Sequence, residues 1–169
     1  MAEIVLATLN AKFIHTAFGL RYLLANLGDL RARAELVEFD INQRPLEIAG
    51  ALLAREPRVL GLGVHIWNAA ETTALVAILK RLRPSLPIIL GGPEVSHETL
   101  DQPVTLLADC VITGEADLAF PEVCRQFLQG RPPAEKVIRA PLPDLARVAF
   151  PYDEYDAKDL AHRIGLALD

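Results

Sequence analysis

Three of the four histidines and the single tryptophan of this 169-residue chain fall in or beside four short segments, residues 8–16, 64–68, 91–96 and 113–115. Together these segments carry Thr8, Asn10, Phe13, His15, Thr16, Val64, His65, Ile66, Trp67, Asn68, Pro93, Glu94, Thr113, Gly114 and Glu115, with His97 just beyond and the pair Gly91-Gly92 among them. Imidazoles and carboxylates move protons near neutral pH, ligate metals or hold polar ligands. His15 can ligate a metal, hydrogen-bond a ligand or stand in solvent as a loop histidine. His65 follows an apolar run, so it either meets a ligand or packs with its ring satisfied. Glu115 suits a ligand contact or the positive end of a helix dipole. Gly91-Gly92 closes an apolar strand, where glycine serves the approach of a ligand or another backbone, or a tight turn before Pro93. Gly61 and Gly63 leave room along one strand face for something flat or for a packed helix. Gly61-Leu62-Gly63 is no dinucleotide fingerprint, because no third glycine opens the following helix, and there is no P-loop lysine motif.

The elements that must position these residues follow from hydropathy. Apolar runs at 4–9, 34–39, 59–64, 87–91 and 109–113 alternate with helical periodicity at 16–27, 46–55, 68–83 and 116–128. Thr16 is the expected cap of the first helix and Gly28 its stop, with Phe18, Tyr22, Leu23 and Leu27 facing inward. Pro45 opens the second, with Leu46, Ala49, Leu52 and Leu53 inward. Alternating polarity marks 34–39 as an edge strand, and the unbroken apolar run 59–64 as a central one. Short links between strands and helices imply right-handed crossovers. The expected fold is a flavodoxin-like, doubly wound α/β domain with a parallel five-stranded sheet in the order 2-1-3-4-5. Its ligand site lies at the carboxyl ends of the strands, where all four segments meet. Residues 1–130 form that domain. Residues 131–169, punctuated by Pro132, Pro133, Pro141, Pro143 and Pro151, read as a C-terminal arm with room for a short strand at 136–138.

A 51% hydrophobic share provides a core and excludes disorder as the main state. The net charge of −5 argues against nucleic acid, which needs a basic face. No apolar run reaches the roughly 20 residues of a membrane span, and the N-terminus lacks a secretory leader, so a cytoplasmic location is expected. Cys110 and Cys124 are read as small buried hydrophobes.

The runs Ala7-Thr8-Leu9-Asn10-Ala11-Lys12-Phe13-Ile14-His15, Gly61-Leu62-Gly63-Val64-His65-Ile66-Trp67-Asn68, Gly91-Gly92-Pro93-Glu94-Val95-Ser96 and Thr113-Gly114-Glu115-Ala116-Asp117 resemble the N-terminal domain of B12-binding radical SAM proteins. That group includes relatives of the anaerobic magnesium-protoporphyrin monomethyl ester cyclase, and the resemblance extends to about residue 163. It implies a cobalamin whose corrin lies over the carboxyl edge of the sheet and whose nucleotide tail threads into the domain past Gly91 and Gly92. Thr8, Asn10, Thr113 and Glu115 would offer hydrogen bonds along the groove. Residues His65 to Asn68 would border the corrin. It also implies a radical SAM domain in cis, carrying S-adenosylmethionine and a [4Fe–4S] cluster, for methyl transfer or a radical rearrangement or cyclisation.

Two departures from the family qualify this. The Asp-x-His-x-x-Gly run that supplies a cobalt ligand in classical cobalamin domains is replaced by Asn10 and a His15 one residue too far from Gly19, which points to histidine-free binding and no protein ligand to the metal. The Cys-x-x-x-Cys-x-x-Cys run for the cluster is absent, so the radical chemistry is expected to belong to a parent protein longer than this sequence. Two rival readings are a small α/β enzyme using rim histidines and glutamates, and a receiver-like signalling domain. The second wants an acidic cluster after the first strand and an aspartate ending the third, where this chain has Leu9-Asn10 and Val64-His65.

Overall fold

The computed structural model describes residues 2–11, 16–157 and 159. Its strands are β1 (Ile4–Asn10), β2 (Ala34–Asp40), β3 (Val59–Gly63), β4 (Ile88–Gly91), β5 (Cys110–Thr113) and β6 (Val137–Arg139). They form one sheet, every pairing parallel, in the order β2-β1-β3-β4-β5-β6. The expected sheet of five strands is therefore corrected to six. β6 pairs Val111 with Val137 and Ile112 with Ile138, and the prolines around it flank the strand without entering it, so its ladder is intact. As the sequence implies, β2 is a half-wet edge and β3 is buried along its whole length.

The two sheet faces carry separate cores. On one, Val5, Ala7, Leu60, Leu62 and Leu90 pack under α2 (Pro45–Leu53) and α3 (Ala69–Leu82). On the other, Ile4, Leu6, Ile89, Cys110 and Ile112 pack under α1 (Phe18–Ala25) and α6 (Ala119–Leu128). The link from β4 to β5, read from sequence as a loop, holds two short helices, α4 (Pro93–Ser96) and α5 (Pro103–Leu107), and α5 lies against α3.

Helix faces and ends differ from expectation in instructive places. α1 turns Leu20 and Leu24 inward, while Phe18 and Tyr22, outside the buried core, meet edge to face at 5.0 Å. Thr16 does not cap it. The Ala17 N–H is instead taken by the Glu38 carboxylate of β2, 2.5 Å away. In α2, Ile48, Ala49 and Leu52 face the core and Leu46 is exposed. α6 begins at Ala119, so Glu115 lies ahead of the helix and the helix-dipole reading of that residue fails.

Beyond β6 the chain recrosses the outside of α1 toward the β2 edge. Asn26 exchanges two hydrogen bonds with the Ala149 backbone, at 2.8 and 3.0 Å. Arg31 grips Glu154 through two nitrogens, and Arg21 bonds Asp159 at 2.9 Å while lying over the Tyr155 ring. Among the described residues, no helix is long and apolar enough to cross a membrane.

Candidate functional site

Register builds the floor of the site. Thr8 of β1 stands beside Gly63 of β3, and Gly63 beside Gly91 of β4. All three lie on the α1/α6 face near the strand tips, and two of them have no side chain. Leu20 of α1 lies over Gly63, 3.4 Å from where a Cβ would stand, whereas at Gly91 only the Ile112 carbonyl oxygen comes within contact, at 3.6 Å; one row deeper, Gly61 is closed off. A Cβ there would sit 2.8 Å from Leu6 and 3.0 Å from the Phe120 ring, so α6 plugs the groove at that depth. Above the floor opens a cleft of about 2310 Å³, walled by Phe18, Leu20 and Leu23 of α1, by Ile112 and Phe120, and by Leu142, Leu145 and Val148 of the returning chain. Sites for drug-sized ligands run to about 1,000 Å³. This cleft exceeds that volume.

The loops at the rim are held by few bonds. Asn68 is fully buried, and its amide donates to the carbonyls of Leu9 (3.0 Å) and Gly63 (3.3 Å), while its oxygen accepts the His65 N–H at 2.8 Å. It thus joins the ends of β1 and β3. Gly92 has φ +114°, and a Cβ there would lie 2.4 Å from the Val64 carbonyl oxygen. Another backbone, not a ligand, requires that glycine. Ser96 donates its hydroxyl to the Gly92 carbonyl (2.9 Å) and accepts the Gly114 N–H (3.3 Å), tying the β4 loop to the β5 loop.

His65 and Trp67 form a parallel stack at the rim, centroids 4.4 Å apart and planes 6° from parallel. Burial lowers the His65 pKa below its ordinary value. Behind the first strand, Arg21 is buried against Glu38 (2.8 Å) and Asp159, and Glu38 also takes a hydrogen bond from Asn10 (3.0 Å). Cys110 and Cys124 are buried free thiols, pushed up by burial to about 11 and about 12, and so are not available as thiolates near neutral pH.

A family model for the B12 binding domain matches residues 4–124. The chain belongs to the B12-binding domain family. A methyltransferase from Streptantibioticus cattleyicolor named for 2-(S-pantetheinyl)-carbapenam-3-carboxylate is 28% identical over 87 residues, 48% of this chain and 12% of the relative. Two solved structures share the fold. A cobalamin-binding protein from Desulfitobacterium hafniense is 23% identical with a TM-score of 0.53, over 75% of this chain and 58% of its own. The radical S-adenosylmethionine methyltransferase TsrM from Kitasatospora setae, with cobalamin and a [4Fe–4S] cluster bound, is 19% identical with a TM-score of 0.60, over 80% of this chain and 26% of its own. The chain thus spans only part of the length of each.

Within this B12-binding domain the residues singled out from sequence divide clearly. Thr8, Asn10, Thr16, His65, Trp67, Gly91, Gly92, Pro93, Thr113, Gly114 and Glu115 line the cleft. Val64 does not, being buried in the core of the opposite face, and Asn68 serves the loop rather than the cleft. Ile66 points to solvent, and Glu94 is bonded to Gln102 at 3.4 Å. Phe13 and His15 lie outside the described residues. The Thr8 hydroxyl is already committed to the Gly63 carbonyl at 3.2 Å, and the Asn10 amide to Glu38, so of the four residues expected to offer hydrogen bonds along the groove, two already use theirs within the protein. Sequence reasoning missed the walls contributed by α1 and by residues 142–148. The apolar residues Leu142, Leu145 and Val148, unexplained in a polar stretch, were the available signal.

Proposed function

We propose that this domain binds cobalamin, with the corrin over the carboxyl edge of the sheet and the nucleotide tail along the Thr8–Gly63–Gly91 floor. The observation that carries the reading is that floor: the small residues Thr8, Gly63 and Gly91 at adjacent strand tips, beside a cleft of about 2310 Å³ in a chain of the B12-binding family. The bound cofactor would supply the methyl-transfer or radical chemistry, and the protein's share is to hold and orient it. Phe120 limits how deep the tail reaches. Leu142, Leu145 and Val148 keep water from its flank. The reading extends to a radical SAM domain in cis, carrying S-adenosylmethionine and the [4Fe–4S] cluster, to which the open corrin face is presented. Two features support this: the fold shared with TsrM, and the exposed apolar side chains Phe18, Trp67, Leu142 and Leu145 around the mouth, a pattern suited to burial against a further domain.

The test is a titration with hydroxocobalamin followed by visible absorbance, in the native protein and in Gly91→Leu. A Cβ at Gly91 meets only the Ile112 carbonyl oxygen at 3.6 Å, an ordinary contact, so the fold tolerates the substitution while the side chain occupies the floor. Saturable spectral change is expected in the native protein, with affinity at least about 100-fold weaker in Gly91→Leu, roughly 2.7 kcal/mol. Free-cofactor spectra at high native protein concentration, or equal affinities, contradict the proposal.

A further inference from the structure

The row of residues that floors the cleft does not end at β1. Register carries it on to the edge strand β2, where Glu38 stands beside Thr8. That carboxylate reaches for α1. One of its oxygens takes the Asn10 amide at 3.0 Å and the Ala17 N–H at 2.5 Å, and the other takes Arg21 at 2.8 Å. Arg21 also holds Asp159 of the returning chain at 2.9 Å, and its guanidinium lies 4.7 Å from the centre of the Tyr155 ring. The second Asp159 oxygen accepts the Asp156 N–H at 3.1 Å, which fixes that carboxylate in turn. Three parts of the cleft therefore meet on one network: the tip of β1, the start of α1 and the returning chain. Arg21, Glu38 and Asp159 stand behind the cleft and do not line it, whereas Asn10, Ala17, Phe18 and Leu20 do.

Burial makes this an exacting arrangement. The Arg21 side chain is 4% exposed and the two carboxylates 19% each. Attraction between charges taken out of water often only just offsets their dehydration, and the best attested use of such a set is to fix one geometry of the parts it joins. A wall already in place does not have to be ordered when a ligand arrives, which raises affinity without any new contact.

We propose that Glu38, acting through Arg21 and Ala17, is a positioning residue of the cofactor cleft, setting how α1 and the returning chain stand over the strand tips and so how tightly the nucleotide tail is held. This rests on the cobalamin reading above.

The test is the pair of dissociation constants for hydroxocobalamin and for cobinamide, its nucleotide-free form, in the native protein, Glu38→Gln and Asp159→Ala. Glutamine keeps the side-chain length but has one acceptor oxygen and no charge. Asp159→Ala frees the network from the returning chain and leaves the sheet alone. Cobalamin is expected to bind at least about tenfold more weakly to Glu38→Gln and at least about threefold more weakly to Asp159→Ala, with cobinamide within about twofold of native in both. A merely structural loss lowers the folded fraction and weakens both ligands alike; that result overturns the proposal, and so does native cobalamin affinity in either folded variant. Should circular dichroism show Glu38→Gln unfolded, Asp159→Ala decides alone. A native protein that binds neither corrinoid overturns the cobalamin reading and this inference with it.

Discussion

One carboxamide, that of Asn68, joins two strand ends to the loop that presents His65 and Trp67. Its removal would take a donor from the buried Leu9 carbonyl and the acceptor from the part-buried His65 N–H, while the Gly63 carbonyl keeps the Thr8 hydroxyl. An unsatisfied buried group costs about 1–3 kcal/mol. Asn68→Ala is therefore expected to lower stability by about 2–4 kcal/mol in urea denaturation, and Asn68→Asp to do no better, since a carboxylate cannot donate to the carbonyls. A loss below about 1 kcal/mol would refute this role. From sequence, Asn68 opens the helical run 68–83 and is expected to cap it; it stands at the N-terminal end of that helix, but its side chain makes no capping bond. What its side chain bonds depends on Leu9 and Gly63, which the chain brings close only through β1–β3 pairing, and no local pattern encodes that.

At the scale of elements, the two glycines that end β4 are alike in sequence and opposite in structure. Gly91 leaves space, whereas Gly92 holds a left-handed φ with the Val64 carbonyl where a side chain would begin. Gly92→Ala is expected to cost about 3 kcal/mol or more, combining backbone strain and overlap, and Gly91→Ala less than about 1 kcal/mol; thermal denaturation of the pair reads the contrast. Equal losses would mean the turn is not built as described. The strands themselves were readable because continuous apolar runs and alternating polarity separate β3 from the edge strand β2. The inner face of α1 was not. Phe18 and Tyr22 are as apolar as Leu20 and Leu24, and only the tertiary partners of each pair decide which enters the core. β6 was only half legible, because three residues among prolines give a weak signal until β5 offers them a ladder.

For the molecule as a whole, the returning C-terminal segment makes the cleft one-sided. It leaves the sheet after β6 and is fastened by bonds between residues 123 positions apart, Asn26 to Ala149 and Arg31 to Glu154, so its course could not be read from local sequence. Asn26→Ala should accelerate amide hydrogen exchange at Ala149 by at least about tenfold while β1 amides are unchanged, because exposed fastenings open locally without global unfolding. Unchanged exchange at Ala149 would detach this segment from the wall. Cobalamin binding of the proposed kind requires the cleft to take the nucleotide tail. The most direct measurement is the dissociation constant of cobalamin against that of cobinamide, which has the corrin but lacks the nucleotide. A cleft filled by the tail predicts that cobinamide binds at least about 100-fold more weakly, a difference of roughly 2.7 kcal/mol. Equal dissociation constants would contradict it.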